Sequence, residues 1–204
     1  MAVHNPDYWS DYFTNSRHPH RDLTHTAIRH WKIANPDGKQ GEALDLGAGK
    51  GGDSKLMRKA GFRVAAVDFV TSHLEPLAEV DPDLVVHNSR IEDFTIHPDS
   101  YDLVLALYSL SFISDRHFAD VLYRVKRSLK PNGVFLGNFF GPRDHWRQKH
   151  TGNSMTFLQT KREVEWYLRG LRLPLFVEQD ELCLSDLGTE EHRHVFHFIA
   201  VNDC

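Results

Sequence analysis

The chain has 204 residues, 41% of them apolar and 25% charged, which fits one globular domain with a sizeable core and does not fit a disordered segment. Its formal net charge of −4 argues against a dedicated nucleic-acid binder, whose phosphate-tracking surface needs a basic excess. Two cysteines build neither a disulfide framework nor a cysteine-based metal site, while 14 histidines raise a metal question.

No run is long and apolar enough to span a membrane, and the polar, aromatic start has no charged segment followed by an apolar one. A cytoplasmic location is therefore the expectation. In chain order, Tyr8, Trp9, Tyr12 and Phe13 recur at helical spacing, which suits core packing or a lid. A polar stretch with Arg17, His18, His20 and Arg21 leads to a helix from about Leu23 to Ile33. Ala43–Leu46 reads as a first strand. A glycine cluster follows, then a helix carrying Leu56, Met57 and Ala60, with Gly61 placed to end it.

Val64–Val67, Leu84–Val86 and Leu103–Leu107 are further short apolar runs, the pattern of parallel strands covered on both faces. From Ser114 to Leu129, Phe118, Val121, Leu122, Val125 and Leu129 fall at helical spacing. Lys130-Pro131-Asn132-Gly133 reads as a turn before a fifth strand, Val134–Phe140. Gly141–Gln159 has little periodicity and the length of a functional loop. Thr160-Lys161-Arg162-Glu163 is a capping box opening a helix with Val164, Tyr167, Leu168 and Leu171 on one face. Two last strands, near Leu175–Glu181 and Arg193–Val201, have no helix between them and are expected to be antiparallel around a turn at Gly188. The βα alternation implies a doubly wound α/β sheet.

The chemistry concentrates in Asp45-Leu46-Gly47-Ala48-Gly49-Lys50-Gly51-Gly52-Asp53, where a strand ends and a helix begins. Glycines there allow a tight turn and close approach to a ligand, and the helix start offers N–H groups to an anionic part of it. The second strand ends in Asp68, placed to accept hydrogen bonds from two ribose hydroxyls. Gly47-x-Gly49-x-x-Gly52 also satisfies the dinucleotide fingerprint, so glycines alone leave an NAD-dependent oxidoreductase open. Against it, Asp45 at the strand's end would repel a pyrophosphate but suits a ligand's amino group. Tyr101-Asp102 before the fourth strand and Leu129-Lys130-Pro131-Asn132-Gly133 before the fifth complete the pattern.

With these residues in view, the chain resembles the class I S-adenosylmethionine-dependent methyltransferases over about residues 40 to 140. Within that class it resembles the small bacterial tellurite-resistance methyltransferases through Tyr8 to Phe13, Arg17 to His20 and Thr156 to Glu163. The resemblance implies a Rossmann-like, mostly parallel seven-stranded sheet with an antiparallel C-terminal hairpin strand. It implies one methyltransferase domain over 1–204, with 1–40 as cap and first helix. Residues 41–140 would be the cofactor-binding core, and 141–204 the substrate-side loop, helix and hairpin. S-adenosylmethionine would be the cofactor and S-adenosylhomocysteine the product.

By the same resemblance Gly47, Ala48 and Gly49 pass under the methionyl part and Asp45 meets its amino group directly or through water. Asp53 opens the helix beside them, and a lid reading of the segment before the first helix puts Arg17 or Arg21 near the ligand's carboxylate. Asp68 holds the ribose and Phe69 lies against the adenine. Arg90 stands where the family often has an adenine-binding acid, with Ile91 and Glu92 beside it, and Leu107 closes the pocket near the sulfonium.

Methyl transfer from a sulfonium is an in-line displacement with a neutral leaving group, so no acid is needed. A thiolate or oxyanion acceptor needs no base, whereas a neutral hydroxyl or amine does. The acceptor expected is a small molecule, with no nucleic-acid or membrane partner and the oligomeric state left open. His192, Arg193 and His194, at the start of the last strand, are expected to orient an anionic or acidic acceptor, with Arg193 the best supported by resemblance. Asn138, Phe140, Arg143, His145 and Trp146 are expected to face the same mouth. His192 and His194 fall on one strand face and Arg193, Val195 and His197 on the other, so a metal held by all three histidines is not expected. A non-catalytic S-adenosylmethionine-binding protein is the remaining alternative.

Overall fold

The computed structural model describes residues 5–15, 21–37, 40–149, 155–156, 158, 160–184 and 189–204. Two helices, α1 (Pro6–Asn15) and α2 (Arg21–Ala34), precede β1 (Glu42–Leu46) and α3 (Gly52–Lys59). Then come β2 (Arg63–Asp68), the single turn α4 (Glu75–Ala78), β3 (Leu84–Asn88), β4 (Tyr101–Ala106) and a 3₁₀ turn over Leu110–Phe112. The chain continues through α5 (Asp115–Ser128), β5 (Leu129–Phe140), α6 (His145–Lys149), α7 (Lys161–Tyr167), β6 (Arg172–Leu184) and β7 (Glu190–Val201). The strands form one seven-stranded sheet in the order β3-β2-β1-β4-β5-β7-β6. β1 to β5 pair in parallel, and β7 runs antiparallel to both β5 and β6.

The central strands are apolar throughout because both faces are covered. On one face, α5 sets Phe118, Val121, Leu122 and Val125 against Leu44, Leu46, Val104 and Phe135. On the other, Ala27, Ile28 and Trp31 of α2 and Met57 of α3 pack on Ala43, Leu103, Leu105 and Leu136. This two-sided cover is the doubly wound arrangement that the βα alternation predicts. The expected stop of α3 is present: Gly61 takes φ +99° and its N–H donates to the Arg58 carbonyl at 3.0 Å. The capping box is present too, with the Thr160 side chain accepting from the Glu163 N–H at 3.2 Å.

Four details differ from the sequence reading. The Lys130–Gly133 turn is part of β5, absorbed as a bulge between the pairs Tyr101↔Leu129 and Leu103↔Val134, with Asn132 at φ +61°. Its neighbour Asp102 accepts from the Glu42 N–H at 2.8 Å and from Lys130 Nζ at 2.6 Å, clipping the starts of β1, β4 and β5 together. The fourth strand begins at Tyr101 and ends at Ala106, one residue before Leu107. α7 ends at Tyr167, before Leu168 and Leu171, and both late strands are longer than their apolar cores suggest. The turn at Gly188 and the segment with Arg17, His18 and His20 lie outside the described residues. Among the described residues, no helix is long and apolar enough to cross a membrane.

Candidate functional site

The carboxyl ends of the parallel strands surround a cavity of about 580 Å³. The glycine loop forms its floor. Gly47 and Ala48 both donate their N–H groups to the Val67 carbonyl, at 2.8 and 3.1 Å, which ties the loop to the end of β2. Gly47 has φ +78°, and a Cβ there would sit 2.4 Å from the Cβ of Ser109, so the position admits no side chain. Asp68 is held from two sides: Oδ2 accepts from the Gly49 N–H and Oδ1 from the Val70 N–H, both at 2.9 Å. Burial raises its pKa, and these backbone donors pull it back toward the ordinary carboxylate range.

The structure brings most of the sequence-predicted cofactor residues onto one wall. Gly47, Ala48, Gly49, Asp53, Asp68, Phe69, Arg90, Ile91, Glu92 and Leu107 all line the cavity. Arg90 stands 5.0 Å over the Phe69 ring, and Arg124 braces the same segment through the carbonyls of Glu92 and Phe94, at 2.9 and 2.8 Å. Asp53 accepts from the Thr24 hydroxyl at 2.5 Å, which joins α2 to the loop. Asp45 is placed differently from the expectation. Its carboxylate lies beneath the loop rather than on the cavity wall, accepting from the Ser54 hydroxyl at 2.5 Å. Burial, then the nearby charges of Asp53 and Asp68, push its pKa up to about 7 against the pull of the Ser54 hydroxyl. Arg17 lies outside the described residues.

The far end of the cavity is walled by the end of β5, the segment leading into α6, and the start of β7, with α1 laid across it. Trp9 of α1 stacks on Trp146 at 6.2 Å between ring centroids and meets Phe112 edge-on at 4.8 Å, while Phe140 stacks on Trp146 at 6.5 Å. The lid reading of the aromatic N-terminal helix and its packing reading are therefore the same contact. Of the three β7 residues expected at the mouth, Arg193 lines the cavity, while His192 and His194 do not. They point to the other face, where His192 Nε2 meets Asp180 at 2.8 Å and His194 Nε2 meets Glu178 at 3.1 Å. Neither histidine is placed to orient an acceptor.

Asp144 and Glu191 also line this wall, and the sequence reading passed over both. Asp144 is 1% exposed, its Oδ1 accepting from the Trp146 N–H and its Oδ2 from the His194 N–H, both at 3.0 Å. Burial lifts its pKa to about 6, with those donors and Arg193 pulling it down and Glu191 pushing it up. His145 bridges the two acids, with Nδ1 3.4 Å from Asp144 and Nε2 3.2 Å from Glu191. Strand alternation carried Arg193 and Val195 to the cavity face; two residues earlier, the same alternation reaches Glu191.

Glu178, Asp180 and His194 offer ligand atoms within 4.8 Å of one another. Arg143 already pairs with both carboxylates, its closer contact being to Asp180. The Arg143 N–H also donates to His194 Nδ1 at 3.3 Å, which leaves the ring proton on Nε2, facing Glu178. The group is therefore wired as an ion-pair network tying β6 to the 141–146 segment, and a metal on Nε2 would have to displace that proton.

The residues present fit S-adenosylmethionine. The anchored acid, the flat apolar patch of Phe69 and Ile91, and the glycine floor supply sites for ribose, base and main chain of such a ligand. Ser109 Oγ, buried at the cavity, has no hydrogen-bond partner among the described residues, as expected of a group reserved for a ligand.

Comparison with known proteins agrees with this geometry. Residues 43–133 match the family described as "Methyltransferase domain". The chain is 34% identical over 102 residues to the human N-terminal Xaa-Pro-Lys N-methyltransferase 1, an alignment covering 46% of this chain and 45% of that protein. It thus spans about half the length of the curated relatives it matches. Among solved structures it is similar to the Burkholderia thailandensis 1,6-didemethyltoxoflavin-N1-methyltransferase, at TM-score 0.62 and 19% identity over 98% of this chain and 92% of that one. It is also similar to TehB from Haemophilus influenzae, at TM-score 0.70 and 18% identity over 96% and 66%. Residues 43–133 thus match a methyltransferase-domain family, and the chain shares the fold of these two solved structures.

Proposed function

We propose that the protein is an enzyme transferring a methyl group from S-adenosylmethionine to a small-molecule acceptor by in-line displacement. The observation that carries this reading is one continuous cavity, running from the glycine loop and Asp68 to a separate aromatic and charged wall at α6 and β7. That is room for two ligands end to end. When bound, S-adenosylmethionine supplies an electrophilic methyl group on a positively charged sulfur. Asp68, tethered by the Gly49 and Val70 N–H groups, binds and orients the ligand's hydroxylated part. Trp9, Phe112, Phe140 and Trp146 exclude water from the acceptor end. Positioning of the two reactants supplies most of the rate for a displacement with a neutral leaving group.

A tellurite-type oxyanion fits this wall poorly, because Asp144 and Glu191 oppose a negative acceptor. A second reading, methylation of a protein's N-terminal amine, is favoured by the relative that the chain matches at 34% identity. The cover of α1 over the acceptor end favours a small molecule instead. A cytoplasmic setting and the absence of nucleic-acid partners belong to the same proposal and rest on composition.

S-adenosylhomocysteine should raise the melting temperature and NAD should not; the reverse would overturn the reading in favour of an oxidoreductase. Methyl transfer from labelled S-adenosylmethionine to a small-molecule panel, with peptides beginning in a free amine as a second panel, separates the two acceptor readings. No turnover on either panel, with binding intact, would favour a non-catalytic binding protein.

A further inference from the structure

We infer that the acceptor end of the cavity is built for an amine that enters as its protonated ammonium, held between Glu191, Asp144 and the aromatic wall of Tyr8, Trp9 and Trp146. The inference rests on the proposed methyl transfer and names the acceptor's chemical class. Four elements meet at this wall. α1 contributes Tyr8 and Trp9, the segment before α6 contributes Asp144, α6 contributes His145 and Trp146, and β7 contributes Glu191 and Arg193. One wall thus gathers two carboxylates, one guanidinium and one imidazole, with His145 3.4 Å from Asp144 and 3.2 Å from Glu191.

An anionic acceptor would have to settle beside both acids. A neutral one would add nothing to offset the excess of two carboxylates over the one guanidinium of this poorly solvated wall. An ammonium group satisfies both demands. It donates hydrogen bonds to Glu191, whose side chain is 14% exposed, and its charge lies against the aromatic wall. For methyl transfer it would first pass one proton to a carboxylate of this wall, Asp144 or Glu191, and the freed nitrogen lone pair would then form the N–C bond as the sulfonium S–C bond breaks to leave a neutral thioether. The wall is also rigid, as recognition of so small a group requires. Asp144 is fixed by the N–H groups of Trp146 and His194, and Trp146 stacks on Trp9 and on Phe140. Burial, and then the charge of Glu191, raise the pKa of Tyr8, which places the acid near the aromatic wall. Arg193 then serves to favour the charged form of Asp144 rather than to seize an acidic acceptor.

The test uses the full chain saturated with S-adenosylhomocysteine and isothermal titration of matched probes. Benzylamine, benzyl alcohol and benzoate share a ring and differ in head-group charge; tryptamine and its alcohol counterpart repeat the comparison at larger size. The amine of each set should bind at least about tenfold more tightly than its alcohol, a ratio worth about 1.4 kcal/mol, and benzoate should bind most weakly. Glu191→Gln should erase the preference while the melting-temperature shift with S-adenosylhomocysteine is retained. Equal binding of amine and alcohol, tighter binding of benzoate, an unchanged preference in E191Q, or no amine binding to the loaded protein would each overturn the inference. Loss of the S-adenosylhomocysteine shift in the unaltered protein would instead overturn the methyltransferase reading.

Discussion

The buried carboxyl of Asp45 makes the most direct test of the site's energetics. It lies under the glycine loop with only the Ser54 hydroxyl as side-chain donor, near the acids Asp53 and Asp68. Its folded pKa rises from 3.8 to about 7. The group therefore contributes its full stability only when protonated in both states, below about pH 4, and loses it as pH rises to 7. At about 1.4 kcal/mol per pH unit across that window, the buried charge costs the fold on the order of 4 kcal/mol above pH 7. Asp45→Asn keeps an acceptor for Ser54 and removes the charge. After the cost of burying an amide, it should gain about 1–2 kcal/mol at pH 8, or several degrees at about 2–4 °C per kcal/mol. Thermal unfolding of both proteins at pH 8 and pH 5 measures this. The gain should shrink at pH 5, where the carboxyl already carries its proton in the fold. A D45N protein less stable than the parent at pH 8, or a gain independent of pH, would refute the reasoning.

Gly47→Ala combines a left-handed backbone with a Cβ placed 2.4 Å from Ser109, so it should cost about 1–3 kcal/mol and abolish the thermal shift with S-adenosylhomocysteine. Asp102→Asn weakens the clip between Glu42 and Lys130. It should lower stability by about 1–2 kcal/mol in chemical denaturation while leaving that ligand shift unchanged, because the clip sits at the opposite end of the strands. Trp9→Ala removes the ring stacked on Trp146 and should raise the acceptor's KM in a methyl-transfer assay with little change in that of S-adenosylmethionine.

The parallel core was legible because its physics is local. Buried central strands must be apolar, and a strand-to-helix turn at positive φ must use glycine. Legibility failed where the deciding contact is distant in sequence. Lys130-Pro131-Asn132-Gly133 carries turn residues, yet pairing with Tyr101 and Leu103 holds it in a bulged strand. Asp45 sits at the right place on β1, but its direction is set by Ser54 in the next helix. Asp144 lies in a stretch with little periodicity: the Trp146 N–H fixes one of its oxygens locally, and only the return of β7 fixes the other.

The reversal of β7 also explains how one short stretch can wall the cavity and lock the fold at once. Because β7 runs against β5, its first residues arrive at the edge where the parallel strands end. Alternation then sends Glu191, Arg193 and Val195 to the cavity and His192 and His194 to Asp180 and Glu178 of β6. A slip of one residue would exchange these sets, putting imidazoles on the wall and burying an acid and a guanidinium against β6. The ion pairs between Arg143, Asp180 and Glu178, the Gly141 N–H donated to the His194 carbonyl at 2.7 Å, and the His194 ring packed where a Gly141 side chain would clash all oppose that slip. The histidines that first suggested chemistry thus act through register: by holding β7 in phase, they determine that acids and an arginine face the acceptor.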